Sequence, residues 1–232
     1  MGAFRDRLRL GGLAARLLAG RRFWLTALVP LLWTAFQAWR VRMGWQEALE
    51  PADVQNFLIS LPLTVLAVFL GVRVIAGEVD ARRLEIAYTV PGGSQRMWMA
   101  KLLAAWGILI VAELLLALAT YTFFLSFPVS ALYGALQAAT FYLVVSMGLA
   151  ALFKSEVTGA MVSILVVFAG SFVNGGLPRF SPFWNPLTRP DAEASQLLGW
   201  TIQNRIGYGL LILALAALAF GRAENREKML AG

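Results

Sequence analysis

The charged stretch at 73–93 carries the densest set of side chains that could do chemistry or bind a partner. The members that we single out are Glu78, Asp80, Arg82, Arg83, Glu85 and Tyr88. Glu78 and Arg82 stand four residues apart with the acid first, which is the favourable order for an ion pair along a helix. Pro91 and the two glycines that follow it then end the helix and turn the chain. The pattern predicts a short charged helix, which is either a docking surface or a solvated connector.

The absence of two residue types excludes most catalytic and metal chemistry. The 232 residues contain neither cysteine nor histidine. A disulfide framework, a thiolate or imidazole metal site, a cysteine nucleophile and a Ser-His dyad therefore cannot be built from these residues. We expect no catalytic residue, no bound metal and no enzymatic activity in the chain itself.

The elements that must position the charged stretch are apolar. Hydrophobic residues make up 59% of the chain and charged residues 14%, whereas soluble domains average about 45–50% and about 25%. Six segments approach the length of about 20 apolar residues that a helix needs to span a bilayer; they cover 23–41, 54–72, 97–124, 131–153, 157–173 and 200–220. The chain is predicted to be one all-α membrane domain (1–232), with a six-helix region at 23–220, an N-terminal segment at 1–22 and a tail at 221–232.

Basic residues indicate the orientation of these spans. With the N-terminus inside, fifteen Lys and Arg residues fall on the inner side and five on the outer side, as the positive-inside rule requires. Both termini and the stretch at 73–93 are then cytoplasmic. Because topology explains the formal charge of +7, we do not expect nucleic acid as a partner.

The N-terminal segment has the spacing of a helix that lies in the membrane surface. Apolar residues at steps of three and four form one stripe, and Arg5, Arg9 and Arg16 follow on the adjoining face. Such a helix rests its apolar face on the bilayer and directs its arginines toward anionic head groups. The alternative is a basic tail that only directs insertion.

The outer connection at 174–199 mixes aromatic residues with helix breakers. Trp184, Asn185 and Pro186 lie at its centre, among three further prolines. Irregular backbone at membrane depth requires cover by protein or by a water-filled cavity. We predict a re-entrant segment that closes the outer end of a pathway, with an interfacial aromatic anchor as the alternative.

Glu113 is an acid within the third apolar segment. A charge at this depth is costly, so the side chain should face protein or water. Tyr142 and Ser146 of the fourth segment lie at similar depth and are predicted hydrogen-bond partners. Glu113 either lines a transport route or ties two helices together.

Two stretches resemble the signature segments of type-2 ABC-transporter permeases, which are exporter subunits with six spans. The matching residues are Glu78, Leu84-Glu85-Ile86, Thr89-Val90-Pro91 and Lys101-Leu102-Leu103, and on the outer side Trp184-Asn185-Pro186-Leu187-Thr188. The chain departs from the pattern at Asp80-Ala81-Arg82-Arg83, where a Gly-Thr pair is common, and at Ala100, where glycine is common. The specific motifs cover about a fifth of the chain.

The resemblance implies a fold and a function. The N-terminal helix would be the elbow helix, and the helix from Glu78 to Tyr88 would be the coupling helix inserted into an ABC-type ATP-binding subunit, present in two copies. A second permease subunit, identical or different, would complete the route in a bacterial inner membrane. ATP and Mg would bind the partner, because this chain has no phosphate loop. The alternative is a membrane anchor that transmits ATPase motion without moving a solute.

Overall fold

The computed structural model describes residues 2–46, 49–80, 93–190, 192–225 and 229, with side chains from Gly11 onward. These residues form helices, turns and short irregular stretches. Three helices near the N-terminus are α1 (Gly2–Ala19), α2 (Phe23–Thr26) and α3 (Leu31–Arg42). The chain then continues through α4 (Pro51–Asp80), α5 (Gly93–Phe123), α6 (Ser130–Phe153), α7 (Glu156–Gly176) and α8 (Ala194–Glu224).

Five of these helices, α4 to α8, are long and apolar enough to cross a membrane. The shortest has 21 residues and spans about 31 Å at 1.5 Å per residue, which matches a hydrocarbon core of about 30 Å. The prediction of an all-helical chain with several helices long and apolar enough to cross a membrane is therefore confirmed for the described residues. Five of the six predicted spans each correspond to one of these helices.

The first predicted span, 23–41, is not one continuous helix. α2 and α3 divide it, and a turn covers 27–30. Within the turn the amides of Leu28 and Val29 donate to carbonyls three residues back rather than four. Pro30 lacks an amide hydrogen and cannot continue the α-helical ladder, so the helix changes to tighter turns here. The sequence-based count of six single helices is corrected accordingly.

α4 is the central helix of the bundle. Of its most apolar 18-residue window, 78% is buried, against 11% for α7 and 17% for α8. Gly71 brings α4 against α6, because a Cβ at this position would stand 2.0 Å from Ser146 Oγ and 2.3 Å from the carbonyl oxygen of Leu143. Gly159 brings α7 against α6 in the same way, at 2.6 Å from the Cα of Ala150.

α4 also connects the two regions of interest. It contains a π-helical segment at Val54–Ser60, an irregularity that is frequent near functional sites. We call the region around Arg73, Glu78, Asp80, Lys101 and Glu156 the Asp80 end, and the region around Gln55, Gln137, Trp184 and Arg205 the Trp184 end. Gln55 and Asp80 are 25 positions apart on one helix, which separates the two ends by about 37 Å.

Candidate functional site

A buried ion pair joins α4 to the first turns of α5 at the Asp80 end. Lys101 Nζ donates a hydrogen bond to Glu78 Oε1, and the two side chains are 2% and 10% exposed. Glu78 therefore points into the protein and not onto an outward surface. The sequence did contain a signal for this pair, because a lone cation in an apolar helix needs an acidic partner.

Asp80 joins α4 to α7. Its Oδ2 accepts a hydrogen bond of 2.9 Å from the backbone amide of Glu156, the first residue of α7. A carboxylate at this position satisfies a free amide and complements the positive end of the helix dipole. Ser155 caps the same helix by accepting from the amide of Thr158 at 3.3 Å. The start of α7 is thus held by Asp80 of α4.

Arg73 connects three helices at this end. Its Nε lies 3.3 Å from Glu156 Oε2 on α7. Its Nη1 donates to the carbonyl oxygen of Leu18 at 3.1 Å, which is one of the free carbonyls in the last turn of α1. The Asp80 end of α4 is therefore bonded to α1, α5 and α7 together.

The remaining residues singled out near this end have different positions. Arg82, Arg83, Glu85 and Tyr88 lie outside the described residues. α4 runs without interruption through Glu78 to Asp80, so these two residues belong to a candidate membrane-spanning helix. The prediction that a separate helix begins at Glu78 is corrected, because Glu78 to Asp80 continue α4.

α1 is a helix, as its spacing predicts, and it packs on the bundle. Ala14, Ala15 and Leu18 are buried, while Arg16 is exposed. Arg5 and Arg9 lie in the part of α1 whose side chains are not described. The second half of the apolar stripe thus packs against the other helices. That α1 lies in the membrane surface stays a prediction.

The Trp184 end encloses an irregular segment. Residues 181–185 are all buried between two short 3-10 turns, Pro178–Phe180 and Pro186–Thr188. Gln55 of the π-helical segment donates to the carbonyl oxygen of Trp184 at 2.8 Å, and Asn185 Nδ2 donates to that of Ala52 at 2.8 Å. Backbone groups that helices cannot satisfy are thus satisfied by side chains.

α6 and α8 complete this enclosure. Arg205 Nη1 donates to Gln137 Oε1 at 2.7 Å, and Gln137 Nε2 donates back to the Arg205 carbonyl at 2.9 Å. Asn204 Nδ2 donates to the carbonyl oxygens of Arg179 and Ser181, each at 2.9 Å. Trp184 Nε1 donates to Thr201 Oγ1 at 3.0 Å. Trp184 and Asn185 are thus fixed in a polar network, and Pro186 begins the turn that follows them.

Glu113 does not meet the partners predicted for it. It is buried on α5 against the backbone of Leu136, and its Oε1 has no hydrogen-bond partner among the described residues. Ser146 donates to Leu143 instead, and the Tyr142 hydroxyl has no partner in the same part of the chain. Tyr142 is six residues from Leu136, about 9 Å along α6 and about 120° around it at 3.6 residues per turn, so it neither lies at the level of Glu113 nor faces it.

A groove between α4 and α7 extends along most of the bundle. Its volume is about 740 Å³, and Asn56 and Asn174 line it toward the Trp184 end. Arg73 and Glu156 line it at the Asp80 end, and Thr64 lies between the two ends. The groove therefore presents polar groups along a route that is otherwise apolar.

The side chains of these regions bond helices to one another. Among residues 11–46, 49–80, 93–190 and 192–225, no group of three or more His, Cys, Asp or Glu could hold a metal ion. The acids of the Asp80 end are engaged by Lys101, by Arg73 and by the start of α7. The arrangement couples helices to each other.

Comparisons with family models, with curated proteins and with solved structures find no match to this chain. The assignment of a function therefore rests on the residues and contacts described above. The chain is an all-helical protein with five candidate membrane-spanning helices.

Proposed function

We propose that this chain is the membrane-spanning permease subunit of an ATP-driven ABC exporter, moved by a separate ATP-binding subunit. The observation that carries the proposal is the set of bonds at the Asp80 end. α4 leads directly into residues 81–92, which contain the charged stretch that would dock on the partner. α4 is in turn bonded to α5 through Lys101, to α7 through Asp80 and to α1 through Arg73.

This arrangement provides a mechanism for coupling. A displacement of the segment at 81–92 moves the end of α4, and the three connections carry the motion to α1, α5 and α7. The pair of Lys101 and Glu78 is buried, and separating such a pair costs about 3–5 kcal/mol. The helices therefore move together and do not slide past one another.

The groove between α4 and α7 is the route that we propose for the substrate. Two permease subunits, identical or different, would place two such grooves at their interface. Motion transmitted through Arg73 and Glu156 would act directly on the groove, because both residues also line it. ATP and Mg would bind only the partner subunit.

Charge reversal in the docking segment tests the proposal. The variant Arg82→Glu, reconstituted in vesicles with the ATP-binding chain that co-purifies with the wild type, should insert normally and lose stimulation of ATP hydrolysis. The variant Arg42→Glu is the control, because Arg42 is an exposed residue at the end of α3, outside this segment. Wild-type stimulation in Arg82→Glu would contradict the proposal.

Substrate dependence separates an exporter from an anchor that only transmits motion. Both need the same Asp80 end, so contacts at that end do not distinguish them. In reconstituted vesicles the rate of ATP hydrolysis by an exporter rises when the transported solute is added, and it falls when bulky substitutions fill the groove between α4 and α7. For an anchor, neither the solute nor these substitutions change the rate.

A further inference from the structure

A second groove lies between α1, α2 and α5, away from the contacts that carry the proposed function. Its volume is about 920 Å³, and its lining runs along α5 from Arg96 to Leu115. These 19 positions correspond to about 28 Å of helix. Gly12 and Ala15 of α1 and Trp24 of α2 form the facing wall. The groove is thus long and narrow.

The charge of the groove is confined to one position. Arg96, in the first turn of α5, is the one charged residue that lines it, and it is exposed. Among the described residues none accepts a hydrogen bond from Arg96 or forms an ion pair with it. Arg21 and Arg22, both exposed, directly precede the wall that Phe23 and Trp24 form. The polar end of the groove is therefore positive and the rest is apolar.

The length and the charge of the groove favour a lipid as the occupant. Its apolar lining runs for about 28 Å along α5, with a positive group at one end. One leaflet of the hydrocarbon core is about 15 Å thick, so an extended acyl chain fits lengthwise.

We propose that this groove binds one anionic glycerophospholipid, with an acyl chain along α5 and the phosphate at Arg96. Gly107 leaves the space open, since a Cβ there would meet no atom within 4 Å. The apolar lining takes the chain, and the Arg96 guanidinium, which no described residue engages, takes the head group. The proposal concerns a lipid held by the chain and does not depend on what the chain exports.

Fluorescence quenching by lipids with brominated acyl chains tests this proposal. Trp24 lines the groove and is 57% exposed. The difference in fluorescence between the wild type and Trp24→Phe is therefore the Trp24 signal, and its quenching reports contact with lipid in the groove. The full chain is placed in phosphatidylcholine vesicles that contain brominated phosphatidylglycerol or brominated phosphatidylcholine. One arginine near an anionic lipid favours its binding about fivefold. The Trp24 signal should therefore be quenched at a mole fraction of brominated phosphatidylglycerol about fivefold lower than that of brominated phosphatidylcholine.

Two variants and one control assign the effect to the groove. Arg96→Gln should remove the preference for the anionic lipid, and Gly107→Leu should reduce quenching by both lipids because leucine fills the open space. Arg222→Gln, which removes a basic residue from the last turn of α8 outside the groove, should leave the preference unchanged. Equal quenching of the wild type by the two lipids would overturn the proposal. A Trp24 that neither lipid reaches would also overturn it and would show that protein covers the groove.

Discussion

Replacing Lys101 by methionine tests whether the buried ion pair stabilises the Asp80 end. The change removes the ammonium group and keeps an apolar chain of similar length. It leaves the carboxylate of Glu78, which is 10% exposed, without the partner that donates to it. Glu78 then lies buried beside an apolar side chain, where an ionised carboxylate is strongly disfavoured.

The expected magnitude follows from the burial of both side chains. Loss of one member of a buried pair costs about 3–5 kcal/mol, whereas replacement of both members by apolar residues of similar volume is nearly neutral or stabilising. The free energy of unfolding should therefore fall by about 3–5 kcal/mol in Lys101→Met. It should return to within about 1 kcal/mol of the wild type when Glu78→Met is added.

Unfolding of the purified chain by SDS in detergent micelles, followed by tryptophan fluorescence, measures these differences. Arg42→Met is the matched control, because it removes an exposed cation and should change the free energy of unfolding by less than about 0.5 kcal/mol. A double variant as unstable as Lys101→Met would refute the reasoning, since the cost would then come from lost packing. A single variant as stable as the wild type would refute it as well.

Four further substitutions have definite expected outcomes in the same titration. Asn185→Leu should lower the free energy of unfolding by about 1–3 kcal/mol, because it removes the donor to Ala52 and the acceptor for the amide of Leu187. Gly71→Ala should lower the free energy of unfolding by about 1–3 kcal/mol, because the added Cβ clashes with α6. Gly209→Ala is the matched control: the added Cβ meets no atom within 4 Å, so the free energy of unfolding should rise by about 1 kcal/mol. Tyr142→Phe should leave it unchanged or raise it, because the buried hydroxyl has no partner in the described part of the chain; a clear loss would show that the hydroxyl is bonded.

The lengths of the helices could be predicted from the sequence because apolar runs report them directly. α7 and α8 extend beyond both ends of the apolar segments that predict them, and α5 and α6 begin before theirs, since polar first and last turns carry no apolar signal. The division of the first segment was not predicted. Pro30 was present in that segment, but a single proline can kink, end or interrupt a helix, and the packing of the neighbours decides which.

The long-range contacts could not be predicted from spacing. Glu78 was assigned to Arg82 by a local rule, and the structure pairs it with Lys101, 23 positions away. Asp80 bonds to the amide of Glu156, 76 positions away. Local rules describe neighbours on one helix, whereas these contacts depend on how separate helices pack.

The burial of the Trp184 segment could be predicted, and its partners could not. Aromatic residues among prolines indicated irregular backbone that water does not cover. Gln55, which holds the segment, lies 129 positions away, and Arg205 lies on the helix that follows it, 21 positions from Trp184. Glu113 shows the same limit, because the level at which two helices meet and their rotation about their axes both follow from packing.

Site-directed crosslinking tests the central claim, that a separate ATP-binding chain acts on the Asp80 end, most directly. The chain has no cysteine, so Gln95→Cys, an exposed position in the first turns of α5, gives a single reactive thiol at that end. Glu193→Cys gives a single thiol just before α8, at the Trp184 end. The account predicts that a short bifunctional reagent joins Gln95→Cys, and not Glu193→Cys, to a co-purifying ATP-binding chain. Labelling of Gln95→Cys by a membrane-impermeant reagent outside intact cells would contradict it.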